Sequence, residues 1–431
     1  MPDTIRNYLR KRRCRPVARP GVAPDESGLE QPAGQREPPN ALHAKTLAIV
    51  SATHATRRDT GVFIHLSFGR VIDHLAARCR RVLLCVPLAE QSPDESRDYR
   101  LEAQNIELIP QPFYTTALGG LPHPVALTRA FARACRDADA LFIRGLVPYI
   151  GLLYTLAWRY RRRPCHWIVG NPVALLRSHR RAGFLKDTAS HVYAWQDRLL
   201  TRWGRWLTAG SFVCNGRELG AVFSSPRTHV AVSSTVVDDE FYTRADTCQH
   251  DPVQILFVGF PRPEKGLQYL IRALPLLRTP RRCVLTIVGA AEQFHRYREE
   301  LEHLAQELRR TEDVRWVGYV PYGPAMFRHL READLLVLPT LSEGTPRVLV
   351  EARANSLPIV ATNVGGIPTS VTDGYDGMLV PPKDPAALAG AIDRIVADGA
   401  LRQALIRNGL QTARRLTVDR FVELVVRVLE E

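Results

Sequence analysis

The chain has 431 residues, 45% of them hydrophobic and 24% charged; this composition excludes a disordered or fibrous protein, and the length predicts two domains of about 200 residues each. Its 58 Lys and Arg outnumber its 44 Asp and Glu, and the formal net charge of +14 favours anionic partners such as phosphates or an acidic membrane surface. Because the arginines are scattered and no zinc-finger or RNP pattern is present, the sequence predicts no nucleic-acid partner.

The cysteines and the N-terminus bear on location. Eight cysteines are spread singly, with no C-x-x-C pair, so neither a zinc site nor a disulfide framework is indicated and a reducing compartment is expected. The N-terminus MPDTIRNYLRKRRCR lacks the apolar stretch of a signal peptide, and no segment reaches about 18 uninterrupted apolar residues. We therefore predict a cytoplasmic protein, with peripheral attachment to the inner face of the membrane as a further hypothesis.

Residues 1–44 are rich in Pro, Gly, Gln, Arg and Glu, which predicts a disordered tail. A first α/β domain, on the acceptor side, is predicted over residues 45–245. It begins with the strand KTLAIVSA, a polar loop at 54–60 and a helix at 62–79, and continues with strands at 81–87, 106–110, 140–145, 166–170 and 211–215. Helix-length stretches separate the later strands, and this alternation predicts a parallel, doubly wound sheet.

A polar, turn-rich segment at 233–252 marks the predicted domain boundary, and the second domain is predicted over residues 252–412. Its strand segments are QILFVG, CVLTIVG, VRWVGY, DLLVLPT and PIVATN, with helices between them and a last helix at 413–431. Neither half has G-x-G-x-x-G after its first strand, so a nicotinamide dehydrogenase is disfavoured. The predicted fold class is α/β with two Rossmann-like domains, in which another motif must hold any nucleotide.

The stretch PTLSEGTPRVLVEARANSLPIVATNVGGIP, residues 339–368, is the most informative. Thr345 suits a helix N-cap and Pro346 a first helical position. Glu343 is then expected in the loop after a strand, and Glu351 about two turns into the next helix. An ionised carboxylate can accept hydrogen bonds from two neighbouring sugar hydroxyls. Taken alone, such glutamates are more often solvated acids near a helix start.

Cations and glycines occur at the same predicted sheet edge. After the strand that ends at Gly259, a Pro-rich loop carries Arg262 and Lys265, which are the cations that a diphosphate requires. Gly365 and Gly366 follow a third buried strand, where a backbone without Cβ can approach a ligand closely. An exposed lysine and a tight turn are the commoner explanations for each feature by itself, so only their combination indicates a nucleotide-binding edge.

With these motifs, the chain resembles glycosyltransferase family 4, the retaining GT-B enzymes that include sucrose and trehalose-type synthases and many lipopolysaccharide and exopolysaccharide transferases. The resemblance is carried by EGTPRVLVE at 343–351, LPIVATNVGGIP at 357–368, DGYDGMLVPPKDP at 373–385, and FVG with PEKG within 257–266. It is specific in the C-terminal domain and weak in the N-terminal one. The fold it implies is GT-B, two Rossmann-like domains facing a central cleft, with the last helix packed back on the N-terminal domain.

What the resemblance implies is a nucleotide-sugar donor site in the C-terminal domain. Glu351 would bind the donor ribose and Glu343 the transferred sugar. Lys265, together with Arg262, would bind the diphosphate and stabilise its charge during transfer. The segment 317–319 is similar to the family's base-binding segment; the further donor-binding residues are Gly259, Gly318, Tyr319, Gly344, Thr345, Gly365 and Gly366. Transfer would retain the anomeric configuration and would need neither a metal nor another cofactor.

Three departures from the family pattern concern the phosphate and acceptor sides. Phe260 stands where the family commonly has Arg, and Thr369 stands where it commonly has Glu. The family's histidine near the donor sugar is missing from ALFIRG and HWIVGN. The acceptor-side candidates are instead residues near predicted strand ends, namely His54, Gly61, Arg144 and Asn171. Loop or cap roles are the more common explanation for each of these four.

The predicted partners are the nucleotide-sugar donor and a glycan or lipid-linked acceptor. The basic segment TLAWRYRRRP at 155–164, with Trp195, Trp203 and Trp206 between arginines, indicates an anionic membrane surface, although a partly buried amphipathic helix explains these residues equally well. Two alternatives remain open. One is a GT-B-fold sugar-nucleotide epimerase or phosphorylase, and the other is a non-catalytic module that binds a nucleotide sugar.

Overall fold

Two sheets, one in each half of the chain, form the framework of the protein. The structure is a computed structural model that describes residues 41–91, 97–170, 184–290 and 294–431, with the side chains of 184–190 outside that description. Ala41–Glu431 form one compact unit that contains both sheets.

The N-terminal sheet combines a long parallel row of strands with a short antiparallel extension. Its strands are β1 (Thr46–Ser51), β2 (Ala55–Arg58), β3 (Gly61–Ile64), β4 (Arg81–Glu90), β5 (Tyr99–Arg100), β6 (Ile106–Gln111), β7 (Ala140–Arg144), β8 (Pro164–Ile168), β9 (Ser211–Asn215) and β10 (Thr228–Ala231). The parallel row has the order β6-β4-β1-β7-β8-β9-β10. The helices described here are α1 (Leu66–Ala76), α2 (Pro124–Asp137), α3 (Ile150–Arg159), α4 (Phe184–Thr208) and α5 (Arg217–Val222).

The C-terminal sheet is six-stranded and entirely parallel. Its strands are β11 (Val253–Val258), β12 (Cys283–Val288), β13 (Val314–Gly318), β14 (Leu335–Leu338), β15 (Ile359–Thr362) and β16 (Met378–Val380). The order β13-β12-β11-β14-β15-β16 is the doubly wound order of a Rossmann fold, whose ligands bind at the carboxyl ends of the strands. The helices are α6 (Leu267–Ala273), α7 (His295–Glu307), α8 (Pro324–Glu332), α9 (Val348–Ala354), α10 (Ile367–Ser370), α11 (Pro385–Ala397), α12 (Gly399–Arg414) and α13 (Val418–Glu430).

The region between β1 and α1 differs from the prediction. In place of a loop at 54–60 and a helix from residue 62, the chain forms the antiparallel hairpin of β2 and β3, and α1 begins at Leu66. The His65 side chain caps α1 by accepting a hydrogen bond from the backbone N–H of Ser67. A short apolar run fits either a helix or a strand by its period, and pairing of the hairpin with β4 and β5 decided the outcome.

The last helix packs on the N-terminal domain, which is the position that the resemblance implies. It begins at Val418 rather than at residue 413, because α12 continues to Arg414. The apolar side chains of α13 are buried in the core formed with β1, β4, β8 and α1. The Phe421 and Trp167 ring centroids lie 4.7 Å apart. Since each fully buried apolar side chain stabilises by about 1.5–3 kcal/mol, this packing holds the last helix firmly on the N-terminal domain.

The folded region begins earlier than predicted. Ala41–Ala44, which we assigned to the disordered tail, form a 3-10 turn in which the Leu42 side chain is fully buried. The backbone N–H of Leu42 donates a hydrogen bond of 3.3 Å to Oε1 of Glu430. Local composition cannot reveal this turn, because its contacts are with the opposite end of the chain. The rest of the predicted tail, residues 1–40, lies outside the described residues.

Candidate active site

The carboxyl ends of the two sheets face each other across a cleft. Gly216, which follows β9, lies against the loop after β14, so that a Cβ on this glycine would lie 3.2 Å from Cγ2 of Thr345. Beyond β13, the Tyr319 hydroxyl lies 3.4 Å from Oδ2 of Asp98 in the N-terminal domain. Loops that follow strands of both sheets therefore line one cleft, in the place where open α/β sheets bind ligands.

Lys265 and Glu343 meet at this edge as an ion pair, with Nζ donating to Oε2. Lys265 lies in the 3-10 turn Pro263–Lys265 after β11, and Glu343 in the loop after β14. Both side chains are largely buried, at 15% and 20% exposed. The two loops are joined by their backbones, because the N–H of Leu341 donates to the Glu264 carbonyl at 2.8 Å. The pair therefore presents a partly desolvated cation in a fixed position, which suits the binding of an anion.

Gly365 and Gly366 hold the Glu343 loop in place. A Cβ on Gly365 would overlap the carbonyl oxygen of Glu343, and one on Gly366 would lie 2.5 Å from the carbonyl oxygen of Gly344. Gly365 also has a φ of +55°, which favours glycine. The close approach that we predicted for a ligand is therefore made by the backbone of residues 343–344, and these glycines set the position of that loop.

Glu351 lies in the first turn of α9 rather than two turns into it, because the helix begins at Val348 and not at Pro346. Its side chain is 8% exposed, and Oε1 accepts a hydrogen bond of 2.6 Å from the Thr235 hydroxyl. Burial raises the pKa of Glu351, against the effects of the Thr235 hydrogen bond and the positive charge of Arg347. The carboxylate is thus held in place by a residue of the segment between the domains.

Thr345 is not the N-cap of α9, because Arg347 occupies that position. The Thr345 side chain is 6% exposed, and its buried Oγ1 has no hydrogen-bond partner in the part of the chain that the structure describes. Gly344 precedes Thr345, and a Cβ on this glycine would lie 3.9 Å from the carbonyl oxygen of Val169 on the other side of the cleft. Because an unpaired buried hydroxyl costs free energy, Thr345 Oγ1 is a group that a ligand can satisfy.

Arg262 is not brought to the Lys265–Glu343 pair. Its Nε lies 2.9 Å from Oε1 of Glu264, on its own turn. Phe260, where the family commonly has Arg, has a side chain that is 45% exposed. Lys265 is therefore the cation of this loop that the structure joins to Glu343.

The remaining donor-side candidates lie at the carboxyl ends of β11 and β13. Gly259 packs backbone to backbone with Gly289, whose added Cβ would overlap the Gly259 carbonyl. Gly318 has a φ of +88°, and its Cβ position has no neighbour within 4 Å in the part of the chain that the structure describes. Tyr319 follows it with a ring that is 41% exposed. This edge leaves room for a planar group beside an aromatic ring.

Arg144 ends β7 on the opposite wall of the cleft. Its Nη1 donates a hydrogen bond of 2.6 Å to the Thr53 hydroxyl. The guanidinium carbon lies 4.5 Å from the Phe68 ring centroid and 5.1 Å from that of Trp167. A guanidinium held between aromatic rings keeps its charge while its polar edge can contact a ligand.

Of the other acceptor-side candidates, His54 follows Thr53, the hydrogen-bond partner of Arg144, and accepts a hydrogen bond of 3.0 Å from Nε of Arg97. His54 is 6% exposed and packs edge-on against Phe113, with centroids 5.4 Å apart. Gly61 is the first residue of β3 and lies beside the side chain of Arg100. Asn171 lies outside the described residues.

A polar network that joins the two domains was not predicted. Arg70 of α1 donates to both carboxylate oxygens of Glu240, at 2.6 and 2.8 Å, and to the carbonyl of Thr235. The Tyr322 hydroxyl donates to Oε2 of Glu240 at 2.8 Å. These contacts fix the segment that presents the Thr235 hydroxyl to Glu351. We interpreted that segment from its polar composition as a boundary, and composition does not show which of its polar groups are buried.

Two further cleft residues, Arg347 and His65, were also missed. Arg347 lies in the sequence between Glu343 and Glu351. A basic residue between two glutamates of a binding motif was the one feature of the sequence that could have indicated a role for it. The His65 side chain is accessible from the cleft, but desolvation, followed by the positive charge of Arg347, lowers its pKa to about 4. His65 is therefore neutral near pH 7.

Three general findings concern the part of the chain that the structure describes. No group of three His, Cys, Asp or Glu side chains in it is placed to hold a metal ion. Its seven cysteines, from Cys79 to Cys283, are buried and form no disulfide. Among these same residues, no helix combines the length and apolar character needed to span a bilayer.

Comparison with known proteins agrees with the motifs. Residues 238–412 match the family model described as glycosyl transferases group 1. The chain is 34% identical over 184 residues to a D-inositol 3-phosphate glycosyltransferase of Thermomonospora curvata, an alignment that covers 40% of this chain and 42% of that protein. It is 35% identical over 169 residues to a glycogen synthase of Mycobacterium tuberculosis, covering 39% of each. The chain thus spans about two-fifths of the length of these curated relatives.

Solved structures share the fold over most of the chain. HepE of Anabaena in complex with UDP has a TM-score of 0.66 at 16% identity, covering 89% of this chain and 99% of that one. Sucrose-phosphate synthase from Thermosynechococcus elongatus has a TM-score of 0.66 at 19% identity, covering 90% and 99%. WaaG, a glycosyltransferase involved in lipopolysaccharide biosynthesis, has a TM-score of 0.62 at 17% identity, covering 89% and 99%. The predicted GT-B fold is confirmed, and the match to the glycosyl transferases group 1 model covers residues 238–412.

Proposed function

We propose that the protein is a glycosyltransferase that moves a sugar from a nucleoside diphosphate sugar to an acceptor hydroxyl, with retention of the anomeric configuration and without a metal ion. The observation that carries the proposal is the largely buried ion pair between Lys265 and Glu343. Glu343 lies in the loop before α9, and the buried carboxylate of Glu351 lies in that helix. The match of residues 238–412 to the glycosyl transferases group 1 family model supports the proposal.

The charges of the site suit this reaction. When the glycosidic bond of the donor breaks, the departing nucleoside diphosphate gains negative charge, and a preorganised cation stabilises that charge. Lys265 is such a cation, because Glu343 already orients its ammonium group. Glu351 has acceptor capacity for ribose hydroxyls beyond the hydrogen bond from Thr235.

A donor screen followed by a product analysis tests the proposal. A donor at 100 times its Kd stabilises the protein by about 2.7 kcal/mol, so thermal shifts with UDP-, GDP- and ADP-sugars should identify the nucleotide. UDP is among those tested because HepE, which shares the fold, is described in complex with UDP and with UDP-glucose. With the labelled donor, we expect the label on an acceptor. An isomerised sugar nucleotide, or binding without turnover on any acceptor, would contradict transfer.

Lys265→Ala tests the role of the cation. We expect turnover to fall by about 100-fold or more, which is the scale of losing one transition-state group. Arg296→Ala is the matched control, because that side chain is 88% exposed and its loss should leave turnover unchanged. Near-normal turnover of Lys265→Ala would reject the assignment.

Retention and metal independence are tested on the active enzyme. NMR of the first product should show the anomeric configuration of the donor, and an inverted product would contradict retention. Turnover should survive a chelator, and strict dependence on Mg²⁺ or Mn²⁺ would contradict the metal-free mechanism.

We also propose that α4 lies on an anionic membrane surface, which suits a lipid-linked acceptor. Its exposed apolar residues recur every three or four positions and are 43% to 72% exposed, so they share one helix face; they are Val192, Trp195, Leu199, Trp203 and Trp206. Arg198, Arg202 and Arg205 lie between them, which is the pattern of an interfacial helix on anionic lipid.

Vesicle partitioning tests this surface. We expect the protein to bind phosphatidylglycerol-containing vesicles more tightly than neutral ones, and replacement of Trp195 and Trp206 by Ser to weaken that binding. Leu276→Ser is the control, because Leu276 is 47% exposed on the C-terminal domain. Equal partitioning onto neutral and anionic vesicles would contradict the proposal.

A further inference from the structure

Two arginines, one from each domain, lie on opposite walls of the cleft, near enough for the charge of Arg347 to act on Arg144. Arg144 stands at the end of β7 and Arg347 at the N-cap of α9. Gly344, three residues before Arg347, lies against Val169, which follows the strand next to β7, and this contact brings the two loops together. Within the residues that the structure describes, neither guanidinium forms an ion pair.

The nearby acids are already engaged. Burial lowers the pKa of Arg347, against the negative charges of Glu351 and Glu343. Of these two acids, Glu343 pairs with Lys265 and Glu351 accepts the hydrogen bond from Thr235. Burial, and then the positive charges of Arg347 and Arg97, lower the pKa of Arg144 to about 9. Its Nε is buried and has no hydrogen-bond partner among the described groups. Bringing like charges together out of water costs free energy, which an anionic ligand would offset.

His65 adds a neutral donor to this wall. Its Nδ1 accepts a hydrogen bond of 3.3 Å from the backbone N–H of Ser67, so the proton of the neutral ring is assigned to Nε2. The acid on this side, Asp98, accepts the backbone N–H of Leu66 at 3.1 Å. Nε2–H is therefore a donor that suits an oxyanion.

We propose that Arg144, Arg347 and His65 form a subsite for an anionic group, a phosphate or a carboxylate, carried by the acceptor. The inference rests on the proposed transferase function. The acceptor is favoured over the donor diphosphate because Arg144 and His65 belong to the N-terminal wall, whereas Lys265 and Glu351 lie on the C-terminal one.

The test compares matched acceptors: a hexose phosphate with the same hexose, and a uronic acid with its neutral hexose. We expect the wild-type enzyme to prefer the charged member of each pair in kcat/KM. Arg347→Gln should lower kcat/KM for the charged acceptor by about 10- to 100-fold, the effect of losing one charged hydrogen bond, and Arg347→Lys should restore part of it. The neutral acceptor should be little affected. Equal use of charged and neutral acceptors would overturn the proposal.

Binding measurements separate the two possible sources of the anion. Calorimetric titration of the nucleoside diphosphate should give the same affinity for wild type and Arg347→Gln; a matching loss there would assign the cluster to the donor and overturn the proposal. Titration of the hexose phosphate into protein saturated with nucleoside diphosphate should show binding that Arg347→Gln weakens. Weaker binding of the hexose phosphate to Arg347→Gln would support the subsite even if the protein turned over no donor. Absence of turnover would refute only the transferase function. Arg298→Gln, which removes an arginine 5.1 Å from the Trp316 ring, is the control and should change none of these values.

Arg144 is tested separately, because its aromatic neighbours make it part of the fold. Arg144→Lys keeps the positive charge but loses the planar guanidinium, which stacks on aromatic rings and can donate two hydrogen bonds to one anion. We expect it to unfold at a similar urea concentration to the wild type and to lose the preference for the charged acceptor. A folded Arg144→Lys enzyme with the full preference would overturn the role of Arg144.

Discussion

Replacing Gly365 by Ala should damage the site more than the fold. Gly365 has a φ of +55°, a conformation that costs a residue with a side chain about 1–2 kcal/mol. The added Cβ would also overlap the carbonyl oxygen of Glu343, so the loop that carries the Glu343 side chain has to move. A displacement on the order of 1 Å lowers turnover by about 100-fold, and this is the loss we expect in the release of nucleoside diphosphate from the donor.

Gly374→Ala is the matched control. Gly374 has a φ of +71°, but no atom of the described residues lies within 4 Å of its Cβ position, so this variant has the backbone strain without the collision. Both variants should lose at least about 1–2 kcal/mol in urea unfolding, and only Gly365→Ala should lose turnover and affinity for nucleoside diphosphate. Equal turnover of the two variants would refute the conclusion that the close approach of Gly365 positions Glu343.

Two further predictions concern buried polar groups. Thr235→Val removes the 2.6 Å hydrogen bond to the buried Glu351 carboxylate and should lower the free energy of unfolding in urea by about 1.5–3 kcal/mol. Thr155→Val, the control, removes a hydroxyl on an exposed helix face and should lower it much less. Equal losses in the two variants would contradict the role of burial. Burial lowers the pKa of His166 to about 4 from an ordinary 6.5, so the neutral ring stabilises the fold fully above about pH 6.5. That stability is lost as the pH falls toward 4, by about 3 kcal/mol. In His166→Gln, the free energy of unfolding should depend less on pH between 6.5 and 4. An unchanged pH dependence would show that His166 does not cause the loss of stability.

Five of the six strands of the C-terminal sheet were predictable, because a parallel strand covered on both faces is a short, continuous apolar run. The three-residue strand β16 was not predicted. The segment QILFVG at 254–259 became Val253–Val258, and CVLTIVG at 283–289 became Cys283–Val288. The hairpin of β2 and β3 was not predictable in this way, since its four-residue strands are too short to show a period and depend on pairing with β4 and β5.

The start of α9 shows a similar limit. Thr345 and Pro346 suit the N-cap and first helical positions by residue type, but Thr345 is buried against Gly216 of the other domain and the helix begins after Arg347. A tertiary contact therefore overrode a local capping preference, and it moved Glu351 into the first turn of the helix.

The sequence by itself determined the longer buried strands, the order of the motifs and the match of residues 238–412 to a family model, because these are properties of short stretches of chain. Only the tertiary structure decided which polar groups meet. Lys265 and Glu343 are 78 positions apart, Thr235 and Glu351 are 116 apart, and the charge of Arg347 acts on Arg144 of the other domain. Hydrophobic periodicity is local, whereas these pairings depend on which strand ends the order of each sheet brings together across the cleft.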